Sequence, residues 1–269
     1  MRAKSAAAAT SAPATLQIMR QGAVLFIGID RGAKRNALND TAVLALEAHF
    51  ASLADDVRAV VIHGIGDHFS AGLDLSELSE RDATEGVMHS AMWHRAFARI
   101  EFGRTPVISV LKGAVIGGGL ELACATHIRV AERSAFYALP EGQRGIFVGG
   151  GGSVRLPRLI GVARMADMML TGRTYDAEEG MAIGISQYLV DNGEGLAKAT
   201  ALAERIAANA PLTNFAVVQA LPRIASADPA TGFLTESLMS AIAQSDQEAK
   251  RRVRAFLDKK AEKVKPTRA

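Results

Sequence analysis

Cysteine is nearly absent: Cys124 is the only one in 269 residues, so no disulfide can form within the chain. That fits a reducing, cytoplasmic setting. No run approaches eighteen consecutive apolar residues without a charge, so no membrane span is expected. One tryptophan and three tyrosines leave little to stack on bases, and nucleic acid is not expected as a partner. Phosphate-loop signatures are missing. G-x-x-x-x-G-K-[ST] does not occur, and G-x-G-x-x-G fails at Gly117, where Leu122 takes the last position, and at Gly149, where Val154 does. There is no H-E-x-x-H, and Cys124 has no partner at ligand spacing, so neither a metal nor a cofactor is expected. "HFSAG" approaches the hydrolase elbow G-x-S-x-G, but His68 stands where its first glycine belongs, which disfavours Ser70 as a nucleophile. His63, His68, His89, His94 and His127 read as loop or packing residues.

What is present is a chain long enough for one large domain or a domain plus a small appendage. Its hydrophobic and charged fractions, 49% and 22%, mark it as globular rather than disordered. The opening "MRAKSAAAATSAPAT" is small, basic and acid-free, a composition that can mark an organellar transit peptide, but it is short, Ala-dominated and lacks the apolar core of a secretory signal; residues 1–14 read as a disordered tail. The C-terminal "EAKRRVRAFLDKKAEKVKPTRA" is densely basic. It reads as a solvated helix face or as a site for an anionic group such as the phosphates of a small ligand.

Residues 15–30 suggest a hairpin around Gly22, and 40–53 a helix capped by Asn39 or Asp40. "VRAVVIHG" and "PVISVLKG" are β-branched runs of buried-strand type. Residues 85–102 have helical spacing. The glycine run 117–119 leads into a helix to about Ala125, "HIRVAE" and "AFYAL" read as strands, and helices dominate from Ser153 onward. This alternation predicts an α/β fold with largely parallel strands, a core over 15–195 and a helical part over 196–269.

The chemistry rests on glycine beside carboxylate. Glycines at a strand-to-helix turn admit close backbone approach and leave the first helical N–H groups unpaired. With the helix dipole behind them, such groups suit a developing negative charge. Glu121 lies on the first turn of that helix among Leu120, Leu122, Ala123 and Cys124, where an unpaired carboxylate is costly and its pKa tends upward. "HFSAGLDL" is a second small-residue loop opening a helix, with a further N–H at Leu73. Glu141 follows Pro140 at the end of a strand, and two carboxylates facing one substrate supply an acid and a base.

"RNALN" (35–39), "FSAGLDL" (69–75), "PVISVLKGAVIGGGLELACATHIRVAE" (106–132), "ALPEGQRGIFVGGGGSVRLPRLIG" (138–161), "MLTGRTYDAEEGMAIGISQYLV" (169–190) and "AFLDKK" (255–260) occur in this order. Together they resemble the crotonase superfamily, the enoyl-CoA hydratase/isomerase family, over about residues 15–262. The resemblance implies a crotonase-like spiral of repeated ββα units with a C-terminal helical trimerisation region, assembled as a homotrimer or a hexamer of two trimers. It implies that an acyl-CoA thioester oxygen sits between the N–H groups of Leu73 and Gly118. The hydratase glutamates of the family match Glu121 and Glu141, and retention of both favours water addition to a 2,3-double bond. Coenzyme A enters as part of the substrate. By the same resemblance it lies near Lys34, Arg35, Ala37 and the loop Ala71, Gly72, Leu73, Asp74 and Leu75, with Phe256 and Lys259 of a neighbouring subunit closing over the nucleotide. The loop from about Ser76 to Met92 is expected to shape the acyl pocket, with Met88 and Trp93 as candidates. Overall the sequence is similar to bacterial methylthioacryloyl-CoA hydratases of dimethylsulfoniopropionate breakdown, which also hydrolyse the thioester of the hydrated product. An acyl-CoA hydrolase of the same superfamily and a non-catalytic CoA- or RNA-binding relative are the alternatives.

Overall fold

A computed structural model describes residues 15–77 and 81–258; the expected tail at 1–14 and Lys259 lie outside them. β1 (Leu16–Gln21) and β2 (Val24–Ile29) form the antiparallel hairpin, turning at Gly22. α1 (Asp40–Ala51) is capped by Asn39, whose side chain accepts from the Ala42 N–H at 3.0 Å. After β3 (Ala59–Gly64), α2 (Ala83–Glu101) opens with a reciprocal cap. The Asp82 carboxylate accepts from the Glu85 N–H at 2.8 Å, and Glu85 accepts from the Asp82 N–H at 3.0 Å. There follow β4 (Val107–Leu111), β5 (Ala114–Ile116), α3 (Gly118–Cys124), β6 (Ile128–Glu132), β7 (Phe136–Ala138), α4 (Gly152–Ile160), α5 (Val162–Thr171), β8 (Tyr175–Asp176), α6 (Ala177–Ile183), β9 (Tyr188–Val190) and α7 (Gly195–Ala207). The chain continues through α8 (Pro211–Gln219), α9 (Leu221–Ile224), α10 (Pro229–Ser245) and α11 (Gln247–Leu257).

Six strands form a sheet in the order β1-β2-β3-β4-β6-β9, parallel throughout after the first pair. β4 is buried at all five positions, as a parallel strand covered on both faces must be. On one face Val24, Phe26, Val61, Ile108 and Val130 pack with Ala199, Leu202 and Ala203 of α7. On the other, the main core joins Ile27, Val60 and Ile62 to Leu46 of α1 and to Trp93, Phe97 and Ile100 of α2. β9 was not foreseen in the sequence: three residues are too few to show a strand period, and the pairing of Val130 with Tyr188 supplies the order.

A second, smaller sheet, β5-β7-β8, positions the site. Each turn of the chain lays one strand in the large sheet, one segment beside the small sheet, and then a helix. β4, β5 and α3 make one such unit, and β6, β7 and α4 the next. The earlier turns contribute only isolated bridges, Leu38 to Leu73 and Ser70 to Val115, both parallel. Four parallel segments therefore end at one edge, and their carboxyl ends carry Leu38, Leu73, Gly117 and Glu141. Ligand sites in parallel α/β folds open at that end of the strands.

Candidate active site

The register brings the two amides together. Leu38 donates to the Gly72 carbonyl at 2.7 Å and accepts from the Asp74 N–H at 2.8 Å, so both of its bonds go to the neighbours of Leu73. By the alternation of a strand, the N–H of Leu73 itself points to the other side, towards Gly118. A Cβ built on Gly118 would lie 3.4 Å from the Leu73 nitrogen. Gly118 is the first residue of α3, so its own N–H has no intrahelical acceptor. Among the described residues neither amide has a backbone partner. Two glycines make the approach possible. Gly72 has φ 91° and faces the Ile116 carbonyl, which a Cβ would meet at 2.7 Å; Gly117 has φ 50°, and a Cβ there would meet Glu141 Oε1 at 2.6 Å.

Glu121 is 4% exposed. Its Oε1 accepts from the N–H groups of Gly150 at 2.8 Å and Gly152 at 2.7 Å. Burial pushes its carboxyl up from the ordinary range, while the amides of Gly152 and Gly150 and the nearby Arg155 pull it back. The glycines at 150 and 152 are required by crowding. A Cβ would meet Glu121 Oε2 at 3.0 Å in the first case and Glu121 Cγ at 2.8 Å in the second. Glu141 is 7% exposed, and its Oε2 is buried without a hydrogen-bond partner. Burial, reinforced by the charge of Glu121, lifts it to about 7.

Leu73, Gly118, Glu121 and Glu141 all line one cavity of about 260 Å³. Ala71, Gly72 and Leu75 line it as well. The other expected CoA contacts stand apart from it. Lys34 donates to Asp74 at 2.8 Å and to Ser76 Oγ at 2.7 Å. Asp74 is buried, and although burial alone would raise its carboxyl, hydrogen bonds from Lys34, Ser76 and Arg31 hold it well below the usual carboxylate range. Arg35, at φ 50°, is exposed, and Ala37 is buried with its carbonyl bonded by Arg31. Phe256 is exposed on α11 and does not line the cavity.

Of the two acyl-pocket candidates, Trp93 lines the cavity, with its ring against Gly118. Met88 does not: it is 67% exposed, on the other side of α2. Successive turns of α2 turn Gly86, His89, Ser90 and Trp93 inward, and Met88 falls outside that face. His89, read from sequence as packing, is a cavity residue; its Nε2 lies 2.7 Å from Asp40 Oδ1. The i, i+3, i+4, i+7 spacing of 86, 89, 90 and 93 was the available signal for it. Arg81, Arg144 and Ile146–Gly150 complete the wall. Ser70 is fully buried, does not line the cavity, and has its Oγ occupied by the Gly72 N–H at 3.2 Å. His127 is a packing residue, pushed down to about 4 by burial. Among the described residues no group of three His, Cys, Asp or Glu side chains is placed to hold a metal ion, and no helix is long and apolar enough to cross a membrane.

The family model described as enoyl-CoA hydratase/isomerase matches residues 19–266. The short-chain-enoyl-CoA hydratase of Clostridium acetobutylicum is 31% identical over 244 residues, covering 90% of this chain and 94% of that protein. The 2,3-dehydroadipyl-CoA hydratase of Escherichia coli is 30% identical over 249 residues, covering 91% and 96%. A crystal structure from Rhodopseudomonas palustris, of a protein provisionally assigned as an enoyl-CoA hydratase, superposes with a TM-score of 0.90 at 68% identity, covering 94% of this chain and 98% of that one.

Proposed function

The chain belongs to the enoyl-CoA hydratase/isomerase family, and from that membership and its cavity we propose that it is a hydro-lyase adding water across the 2,3-double bond of a short-chain enoyl-CoA thioester. The observation that carries the reading is one cavity lined by two buried carboxyl groups and by two amides without backbone acceptors.

When water attacks C3 of a conjugated thioester, negative charge moves to the thioester oxygen. Leu73 and Gly118 donate to that oxygen, and loss of one such donor typically costs about 3 kcal/mol of transition-state stabilisation. Glu121, its Oε1 fixed by two amides, takes a proton from the attacking water. Glu141, lifted to about 7, keeps a substantial protonated fraction at neutral pH; in that form it orients the same water through its unpartnered Oε2 and delivers its proton to C2. The two carboxyls act on each other's charge and titrate as a pair.

Within the short-chain class we propose 3-(methylthio)acryloyl-CoA as substrate. The resemblance stated for the sequence suggests it, and the small cavity with the Trp93 ring on its wall suits it, since a thioether sulfur gains about 0.3–1.5 kcal/mol beside an aromatic ring. The same glutamates then direct water at the thioester carbonyl of the hydrated product. We propose a cytoplasmic homotrimer or a hexamer of two trimers, whose interface covers the apolar side chains Phe233, Leu234 and Leu238 that one chain leaves exposed on α10. Lys34, Arg35, Ala37 and the 71–75 loop are the proposed CoA contacts, with Phe256 and Lys259 supplied by a neighbouring subunit. No resident cofactor is part of the reading.

The test is loss of enoyl thioester absorbance with crotonyl-CoA, in the wild type and in Glu121→Ala. The variant is expected to fall at least ~10²-fold; unchanged turnover removes Glu121 from the mechanism. Product analysis with methylthioacryloyl-CoA decides the finer assignment. Thiol of coenzyme A released before hydration would make the protein a hydrolase, and CoA or RNA binding without turnover would make it a binding protein.

A further inference from the structure

Glu121 is held by a loop that is itself held. The Gly150 N–H donates to Glu121 Oε1 at 2.8 Å, and the Gly150 carbonyl accepts from Arg155 Nη1 at 3.0 Å. Arg155 Nε donates in turn to Glu101 Oε2 at 2.6 Å. Both charged groups are withdrawn from solvent, the Arg155 side chain 9% exposed and that of Glu101 18%. The guanidinium thus spans two acceptors at once, one on the last residue of α2 and one on the loop before α4. Nothing in water addition requires a buried ion pair on the far side of this loop. What the loop does require is a fixed orientation of consecutive peptide units, because Gly149–Gly152 carries no side chain with which to pin itself. Gly151, at φ 96°, has no room for a Cβ, which would lie 2.3 Å from Arg155 Nη1.

We propose that Arg155, anchored by Glu101, is a positioning residue that fixes the Gly150 amide on Glu121 and thereby keeps this carboxyl group aimed at the substrate water. The inference rests on the assignment of Glu121 as the proton acceptor. A planar fork can hold the Gly150 carbonyl and the Glu101 carboxylate together; an ammonium keeps the charge but not the two-point geometry. The charged and titratable groups facing Glu121 are Arg155 from α4, Glu141 from the end of β7, Cys124 from its own helix, and Arg144, His89 and Arg81 across the cavity. Of these, Arg155 is the cation whose charge pulls the Glu121 carboxyl down.

The test compares wild type, Arg155→Lys and Arg155→Met by two readouts, after circular dichroism has confirmed folding. The first is the pH dependence of crotonyl-CoA hydration. Arg155→Met is expected to move the acidic limb of kcat/KM to higher pH by about one unit and to lower kcat about tenfold, with KM within about twofold. Arg155→Lys is expected to show a smaller move in the same direction, and it carries the test alone if the methionine variant does not fold. The second readout is a carbon-13 NMR titration of the Glu121 carboxyl, assigned with Glu121→Gln. It gives the same upward displacement whether or not the protein turns over an enoyl-CoA, so failure of the hydratase reading and failure of this inference are told apart. An Arg155→Lys protein with wild-type titration, kcat and acidic limb overturns the positioning role, as does an Arg155→Met protein that merely melts at lower temperature.

Discussion

Replacing Glu141 by glutamine is expected to make the protein inactive and, above neutral pH, more stable. The Glu141 carboxyl titrates at about 7 in the folded chain against 4.5 for the free group. That gap of about 2.5 pH units corresponds to about 3 kcal/mol. Because the folded-state value lies above the unfolded one, the folded chain binds the proton more tightly than the unfolded chain does. The stabilisation from that proton is fully present below about pH 4.5 and is lost as the pH rises through about 7. Glutamine has no proton to lose, so its advantage over wild type grows across the same window, from near zero to about 3 kcal/mol. The new amide must also find an acceptor where Oε2 now has no partner, at a cost of about 1 kcal/mol. That cost is the same at every pH and offsets the curve without changing its slope. Urea unfolding followed by circular dichroism at pH 5 and pH 8, at equal subunit concentration, reads the difference directly. Curves for the two proteins that stay parallel from pH 5 to pH 8 would refute the claim that burial and Glu121 hold this carboxyl protonated.

Other outcomes follow from the same geometry. With Glu141 as proton donor, wild-type kcat/KM for crotonyl-CoA declines as pH rises through about 7; a profile flat to pH 9 removes Glu141 from that role. Gly118→Ala places a methyl group 2.8 Å from the Trp93 ring and 3.4 Å from the Leu73 nitrogen, which displaces the paired amides. It is expected to lower kcat/KM about 10²-fold while thermal unfolding confirms a folded protein. Leu234→Glu puts a charge on the exposed apolar face of α10 and is expected to shift size-exclusion elution from trimer or hexamer to monomer; an unchanged elution volume would remove that face from the interface.

Much of this arrangement is legible in the residues alone. The β-branched runs at 57–64 and 106–113, the cap at Asn39 or Asp40 and the glycine turn into α3 are local signals; strands formed within those runs, at Ala59–Gly64 and Val107–Leu111, and Asn39 supplied the cap. Glu121 stands out because its neighbours are apolar and glycines precede it, whereas Glu141 in isolation reads as a solvent-exposed loop glutamate and is singled out by its pairing with Glu121 and by the family resemblance. The parts that were not legible depend on contacts between distant segments. β9 is ordered by β6, more than fifty residues earlier in the chain, and His89 becomes a cavity residue only because α2 turns that face towards α3 and the loop before α4. Met88 illustrates the same limit: its place in the stretch that the resemblance assigns to the acyl pocket nominated it, but one position along a helix rotates a side chain by about 100° and out of the pocket. The Glu101–Arg155–Gly150 relay links residues on three segments, and no spacing in the sequence announces it.

The most direct measurement is a crystal structure of the Glu121→Gln variant with crotonyl-CoA, in which the substrate persists. The thioester oxygen is expected within about 3 Å of both the Leu73 and Gly118 nitrogens, with C2 and C3 between the side chains at 121 and 141. A thioester oxygen bound elsewhere, or an acyl chain that leaves either side chain out of reach of C2 and C3, would contradict the account.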